Sequence, residues 1–185
     1  MRILTTFCFA FLTSSLAVAQ EEAPYVPEKP GAHHEHMKKM AGTWDFTMKS
    51  YGNPSQPMEG KGVQVARMMD GGFWLIDNHK FNLAGISLHG HGVTGFDQAK
   101  NRYVGTWCDS MSSTMMTSTG SCSEDGKVLT MIGEWYNPAQ KKIVRYLRVM
   151  TLKDEKNKTF QLYALGEKDQ KHLLLLINYT RRQLK

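Results

Sequence analysis

The chain has 185 residues, 41% of them hydrophobic, with 23 basic against 17 acidic side chains and a net charge of +6 at neutral pH. That length suits one domain with a sizeable core. The basic residues are spread along the chain rather than clustered, which argues against a nucleic-acid-binding stripe and fits a solvated surface.

Residues 1–20, MRILTTFCFAFLTSSLAVAQ, place one cation, Arg2, ahead of an apolar run that ends in Ala17-Val18-Ala19. This is the pattern of a secretory signal peptide over residues 1–19, with cleavage expected after Ala19 and a secreted, periplasmic destination. The longest later apolar run, Leu173 to Ile177, is strand-sized, so no stable membrane span is expected. Loss of Cys8 with the signal leaves Cys108 and Cys122 in an oxidising compartment, where a disulfide is permitted. The alternative is two free thiols on adjacent strands facing different ways, since spacing does not supply the required geometry.

Residues 20–31 hold three of the six prolines and read as an extended tether outside the fold. A short helix is predicted from Ala32 to Ala41, ended by Gly42. On that helix His33, His36 and Met37 share a face, and imidazole with thioether suits a soft metal such as copper. The competing reading is a packing helix whose apolar side, Met37, Met40 and Ala41, plugs one end of the domain.

After Gly42 the period changes. TWDFTMKS alternates, with Trp44, Phe46 and Met48 on one face, as a half-buried strand does. Similar segments recur at about 60–69, 72–80, 86–96, 102–110, 114–122, 127–136, 142–152, 159–165 and 171–182. They are separated by Asp70-Gly71, Asp125-Gly126, Asn137-Pro138, Gly166-Glu167 and KDEKNK, which are strand breakers. About ten strands without helical crossovers predict an all-β fold over residues 32–185: an antiparallel up-and-down barrel with a short N-terminal helix. Closure into a barrel removes the exposed edges.

Two strands carry candidate chemistry. In LHGHGVTGFD, His89 and His91 share one face and, if inward, could ligate a metal or a haem iron. In YVGTWCDSM, Tyr103, Trp107, Asp109 and Met111 share a face. If it is inward, Asp109 sits in an aromatic lumen as the polar anchor for a ligand, with Trp107 and His91 pointing the same way. Alternatively, Asp109 ties down the following turn through its backbone amides. Beyond Met1 the chain holds eleven methionines, read as core filler. No glycine-rich loop opens a helix, and neither a His-Glu-x-x-His nor a Gly-x-Ser-x-Gly motif occurs. Asp109 and Glu134 are the carboxylates that could pair for acid–base chemistry, so the sequence leans away from an enzyme.

Gly42-Thr43-Trp44, opening the first strand after a short helix, and Tyr179-Thr180-Arg181, closing the last, resemble the calycin (lipocalin-like) pattern. There a Gly-x-Trp packs beneath an arginine from the end of the barrel. More closely, residues from about His36 to Arg182 resemble the bacterial "domain of unknown function 1579" family. The resemblance lies in HMKKMAGTWDF, DGGFWL, GHGVTGFD, YVGTWCDSMSS, GEW and the terminal YTRR. It implies a calycin-type barrel in which Gly42, Trp44 and Arg181 are structural, and it imports neither activity nor cofactor. Cys108 departs from the family pattern, so no bridge is inherited. The expected function is binding of a small apolar or amphipathic ligand in the lumen. The alternative is a metal- or haem-binding protein using His89 and His91 or the His33–His36 cluster, and the third is an enzyme around Asp109 and Glu134.

Overall fold

The structure, a computed structural model, describes residues 26–137 and 140–183. The signal sequence, Cys8 and the first part of the tether lie outside the described residues. Residues 26–31 run exposed and without regular structure into helix α1, Ala32–Lys38. The helix is shorter than its composition suggests. The chain tightens at once into a turn, with the Met40 and Ala41 amides donating to the carbonyls of Met37 and Lys38.

Ten strands follow: β1 (Gly42–Ser50), β2 (Met58–Met68), β3 (Trp74–Leu83), β4 (Ile86–Asp97) and β5 (Arg102–Asp109), then β6 (Ser112–Cys122), β7 (Val128–Asn137), β8 (Lys142–Leu152), β9 (Asn157–Leu165) and β10 (Lys171–Arg181). A single 3-10 turn, Glu167–Asp169, separates the last two. Each strand pairs antiparallel with its sequence neighbours, and β10 returns to β1, with Trp44 opposite Arg181 and Met48 opposite Ile177. The sheet is therefore a closed up-and-down barrel, the architecture the alternation predicts. β3 begins two residues later than expected because Gly71 and Gly72 both adopt positive φ and belong to the turn. Among the described residues no helix is long and apolar enough to cross a membrane.

Alternation decides what fills the interior. Trp44, Phe46 and Met48 pack with Leu83, Leu88, Ile177 and Tyr179, closing the side of the barrel formed by β10 and β1 to β4. Met37 and Met40, from α1 and its turn, pack with Ala66, Leu75, Tyr103, Leu129 and Met131 and close one end. Both Met37 and Met40 are buried, so the helix is the plug that its apolar side predicts. One end is thus sealed, and the site is organised around it.

Candidate functional site

The sealed end is built on Trp44, whose indole is fully buried. Its Nε1 donates to the Met40 carbonyl at 3.0 Å, tying the helix turn to β1. The Arg181 guanidinium lies 4.1 Å from the ring centroid and the Lys158 ammonium lies 4.1 Å from it as well. Arg181 donates to three backbone carbonyls, those of Glu155 (2.7 Å), Ala41 (2.6 Å) and Lys39 (2.8 Å). Gly42 has φ +129 and sits against the Arg181 guanidinium, where a Cβ would overlap it. Only glycine meets both conditions.

Above this floor the lumen holds ionisable groups. Asp77 and His79 come from β3, Arg148 from β8 and Lys158 from β9, each on the inward face of its strand. Gln64 from β2 donates through Nε2 to Asp77 Oδ1 at 2.7 Å. His79 Nε2 and the Tyr179 hydroxyl are 3.4 Å apart. Arg148 Nη1 donates to Ser118 Oγ at 3.1 Å, and its guanidinium lies 5.7 Å from the Phe160 ring centroid. Lys158 Nζ donates to the Met40 carbonyl at 3.3 Å. Asp77, Arg148, Lys158 and Gln64 border a cavity of about 40 Å³, together with Met37 and Met40. That is room for a water or a small polar group, far below the several hundred Å³ of a ligand pocket.

Burial sets the protonation of this layer. It raises the Asp77 carboxyl, against the pull of Lys158 and Arg148. It lowers His79 to about 3, helped by the same two cations, so the imidazole is neutral. It lowers Lys158 to about 7, with Asp77 opposing and Arg181 assisting. Asp77 and Arg148 lie deep among other groups yet keep part of their accessible surface. Because both face inward, that surface belongs to the lumen. Gln64 Oε1 and His79 Nδ1 are buried without hydrogen-bond partners, so the layer does not satisfy itself.

At the other end of the barrel apolar side chains meet solvent. Trp107, Met116, Trp135, Val144, Leu162 and Leu175 have inward parity but remain half-buried, so solvent reaches an apolar mouth on the β5 to β10 side. The Trp107 indole lies across Gly90 and Gly92, and its six-membered ring occupies the space of a Cβ on Gly90. Trp107 Nε1 donates to Asp109 Oδ2 at 2.9 Å, and its ring meets His79 edge-on at 5.0 Å. Gly90→Ala is expected to lift the indole off the strand, break the bond to Asp109 and shift tryptophan emission. An unchanged emission spectrum in the folded variant would sink this reading. A larger depression, about 520 Å³, lies on the outer wall between Trp74, Val93, Thr106, Thr117, Ile132 and Glu134, where no constellation of ionisable groups converges.

The structure redistributes the sequence candidates. Trp107 and Asp109 do face inward, at the mouth. Asp109 ties down the following turn, accepting through Oδ1 from the Met111 amide at 2.9 Å, and its Oδ2 accepts from Trp107. His91 does not join them. It pairs with Cys108 on the outer face, is exposed, and its Nδ1 lies 3.0 Å from Asn78 Oδ1. His89 is exposed on the same outer face. Met111 sits in the β5–β6 turn, 59% exposed. Tyr103 faces inward but is locked at the sealed end, its hydroxyl donating to the His33 carbonyl at 3.2 Å. Glu134 is exposed on the outer wall, so it cannot pair with the inward Asp109.

Cys108 and Cys122 are free thiols. They lie near opposite ends of β5 and β6 and on opposite faces, roughly 20 Å apart by strand rise, so the permitted disulfide cannot form. The helix histidines pack rather than converge. His33 stacks on Phe96 at 3.8 Å, His34 is buried and accepts from the Gly31 amide at 2.9 Å, and His36 rests against Gly126. Among the described residues no group of three His, Cys, Asp or Glu side chains could hold a metal. The residues that sequence reading missed are Gln64, Asp77, His79, Arg148 and Lys158. Each sits on the otherwise apolar face of its strand, which was the available signal.

A family model described as "Protein of unknown function (DUF1579)" matches residues 29–181. Among solved structures, Rv2717c from M. tuberculosis superposes with a TM-score of 0.61 at 12% identity, covering 83% of this chain and 99% of that one. The S-type phycobiliprotein lyase CPES from Guillardia theta superposes with a TM-score of 0.56 at 11% identity, covering 82% and 93%. At such identities the likeness is one of fold. No curated protein sequence matches significantly.

Proposed function

The chain belongs to the DUF1579 family, described as of unknown function, and from the site itself we propose that it binds a small amphipathic molecule in the barrel lumen. The observation that carries this reading is the division of the interior. An apolar, solvent-reached mouth lined by Trp107, Met116, Trp135, Val144 and Leu162 leads into a barrel whose depth holds Arg148, Asp77 and Lys158. The sealed half has no room for a whole ligand, so the body of the molecule occupies the mouth and its polar end reaches inward. A purely structural barrel has no use for such a layer, because ionisable groups cost free energy on burial unless a partner compensates them.

The signal-like N-terminus supports export, so the binding would occur in the periplasm or outside the cell. The test is native mass spectrometry of the exported, processed protein. The expected result is a mass above that of the chain from residue 20 that is lost on mild collisional activation, with tryptophan emission changing on its removal. Protein that is ligand-free and whose emission does not respond to any amphipathic probe would overturn the reading.

A further inference from the structure

We propose that the ligand's polar end is a small oxyanion, a carboxylate or a group of similar charge and size, held by Arg148. This rests on the lumen reading above and adds the chemical class of the head group. The interior charge count comes first. Arg148 brings a permanent cation to the cavity border and Lys158 an amine that is charged on the acid side of about 7, beside the single carboxylate of Asp77. Arg148 is protonated at every ordinary pH. Among the described residues its guanidinium has no carboxylate within 4.0 Å, nor has the Lys158 ammonium.

The hydrogen-bond count agrees. A guanidinium carries five N–H donors, and Ser118 Oγ accepts from one nitrogen of Arg148. The hydroxyl of neighbouring Tyr146 is turned away, donating to the Thr117 carbonyl at 2.9 Å. Arg148 is nevertheless half-buried as a residue and lines the small lumen cavity beside Asp77 and Lys158. Donors therefore remain for a small group entering that cavity, with charge left over to balance. A planar oxyanion matches a guanidinium in two parallel hydrogen bonds. Asp77, raised toward its neutral form by burial, repels such a head less than an ordinary carboxylate would. A cationic head would meet the opposite field from Arg148 and Lys158.

Three probes with one ten-carbon tail separate the possibilities: decanoate, decanol and decyltrimethylammonium, titrated calorimetrically into the processed protein below their micelle concentrations. The expected order is decanoate tightest, at least tenfold over decanol, with decyltrimethylammonium weakest. Arg148→Gln should weaken decanoate at least tenfold, to about the level of decanol, and weaken decanol by far less. Equal binding of the three probes, or decanoate binding indifferent to Arg148→Gln, overturns the oxyanion and leaves the lumen reading standing. Failure of all three to bind overturns the lumen reading and the oxyanion with it. Should Arg148→Gln not fold, the ranking of the three probes on the unaltered protein decides alone.

Discussion

Arg181→Ala is expected to destabilise the protein by about 3 kcal/mol, from lost charged hydrogen bonds and a lost cation–π contact. The guanidinium joins parts of the chain that no strand pairing joins. Its three carbonyl partners, Lys39, Ala41 and Glu155, lie in the turn after α1 and in the β8–β9 turn, and its face covers the Trp44 indole. Removing it leaves three carbonyls to find water and strips one cation from the ring that anchors the helix plug. Arg181→Lys should recover part of the loss, since an ammonium can sit over the indole but cannot reach three divergent carbonyls in one plane. Urea unfolding would read both variants. A midpoint for Arg181→Ala within error of the wild type would show that the floor is held by packing alone.

That floor was legible in the sequence through the resemblance of Gly42-Thr43-Trp44 and Arg181, at the two ends of an alternating chain, to the Gly-x-Trp and arginine of the calycin pattern. The ten strands were legible from turn signals between extended segments, many of which repeat apolar residues at a period of two, as in Trp44, Phe46 and Met48. The facing of β4 was not. Its inward face runs Leu88, Gly90, Gly92, Thr94, and two glycines carry no hydrophobic signal. They are there because the Trp107 indole lies across them, a fact about the neighbouring strand. With the inner face silent, His89 and His91 looked like the functional one. Met111 continued the period of β5 on paper, but the chain had already turned at Ser110, whose hydroxyl accepts from the His89 amide at 3.0 Å.

The polar layer escaped for a different reason. WLIDNHKFNL, KIVRYLRVMTL and NKTFQLYAL each show an ionisable residue in line with apolar ones: Asp77 and His79 with Leu75 and Phe81, Arg148 with Met150, and Lys158 with Phe160. Read strand by strand, each is a minor irregularity. Closure of β10 onto β1 is what brings Lys158 against Trp44, and the curvature of the sheet is what brings β3 and β8 to border one cavity. A pairwise property of distant strands has no local trace.

Lys158→Met should flatten the dependence of stability on pH between about 7 and 9.5. In the folded protein burial lowers Lys158 from its ordinary 10.5 to about 7. Across that interval the unfolded chain holds a proton that the native state does not, so native stability rises with pH. The gain from pH 7.5 to 9 is on the order of 2 kcal/mol, since a tenfold fall in proton activity is worth about 1.4 kcal/mol for each proton released on folding. Below about pH 7 both states are protonated and the cost of the buried ammonium is fully present. One other group acts inside the window: burial raises the Cys122 thiol above its ordinary 9, so the unfolded thiol ionises first and takes back a little stability toward about pH 9.5 in wild type and variant alike. His36, lowered chiefly by burial from its ordinary 6.5, changes charge on the acid side of the window. Tyr103 and Tyr179, raised by burial, reduce stability only as pH passes about 10, where unfolded tyrosine ionises. Methionine keeps the apolar stem against Trp44 and carries no charge. The variant should therefore unfold at nearly constant temperature from about pH 7 to 8, lack the wild-type rise above it, and exceed the wild type most clearly near pH 6. Parallel wild-type and variant curves would mean that Lys158 keeps its proton at neutral pH, its contacts with Trp44 and Tyr179 outweighing the cost of burial.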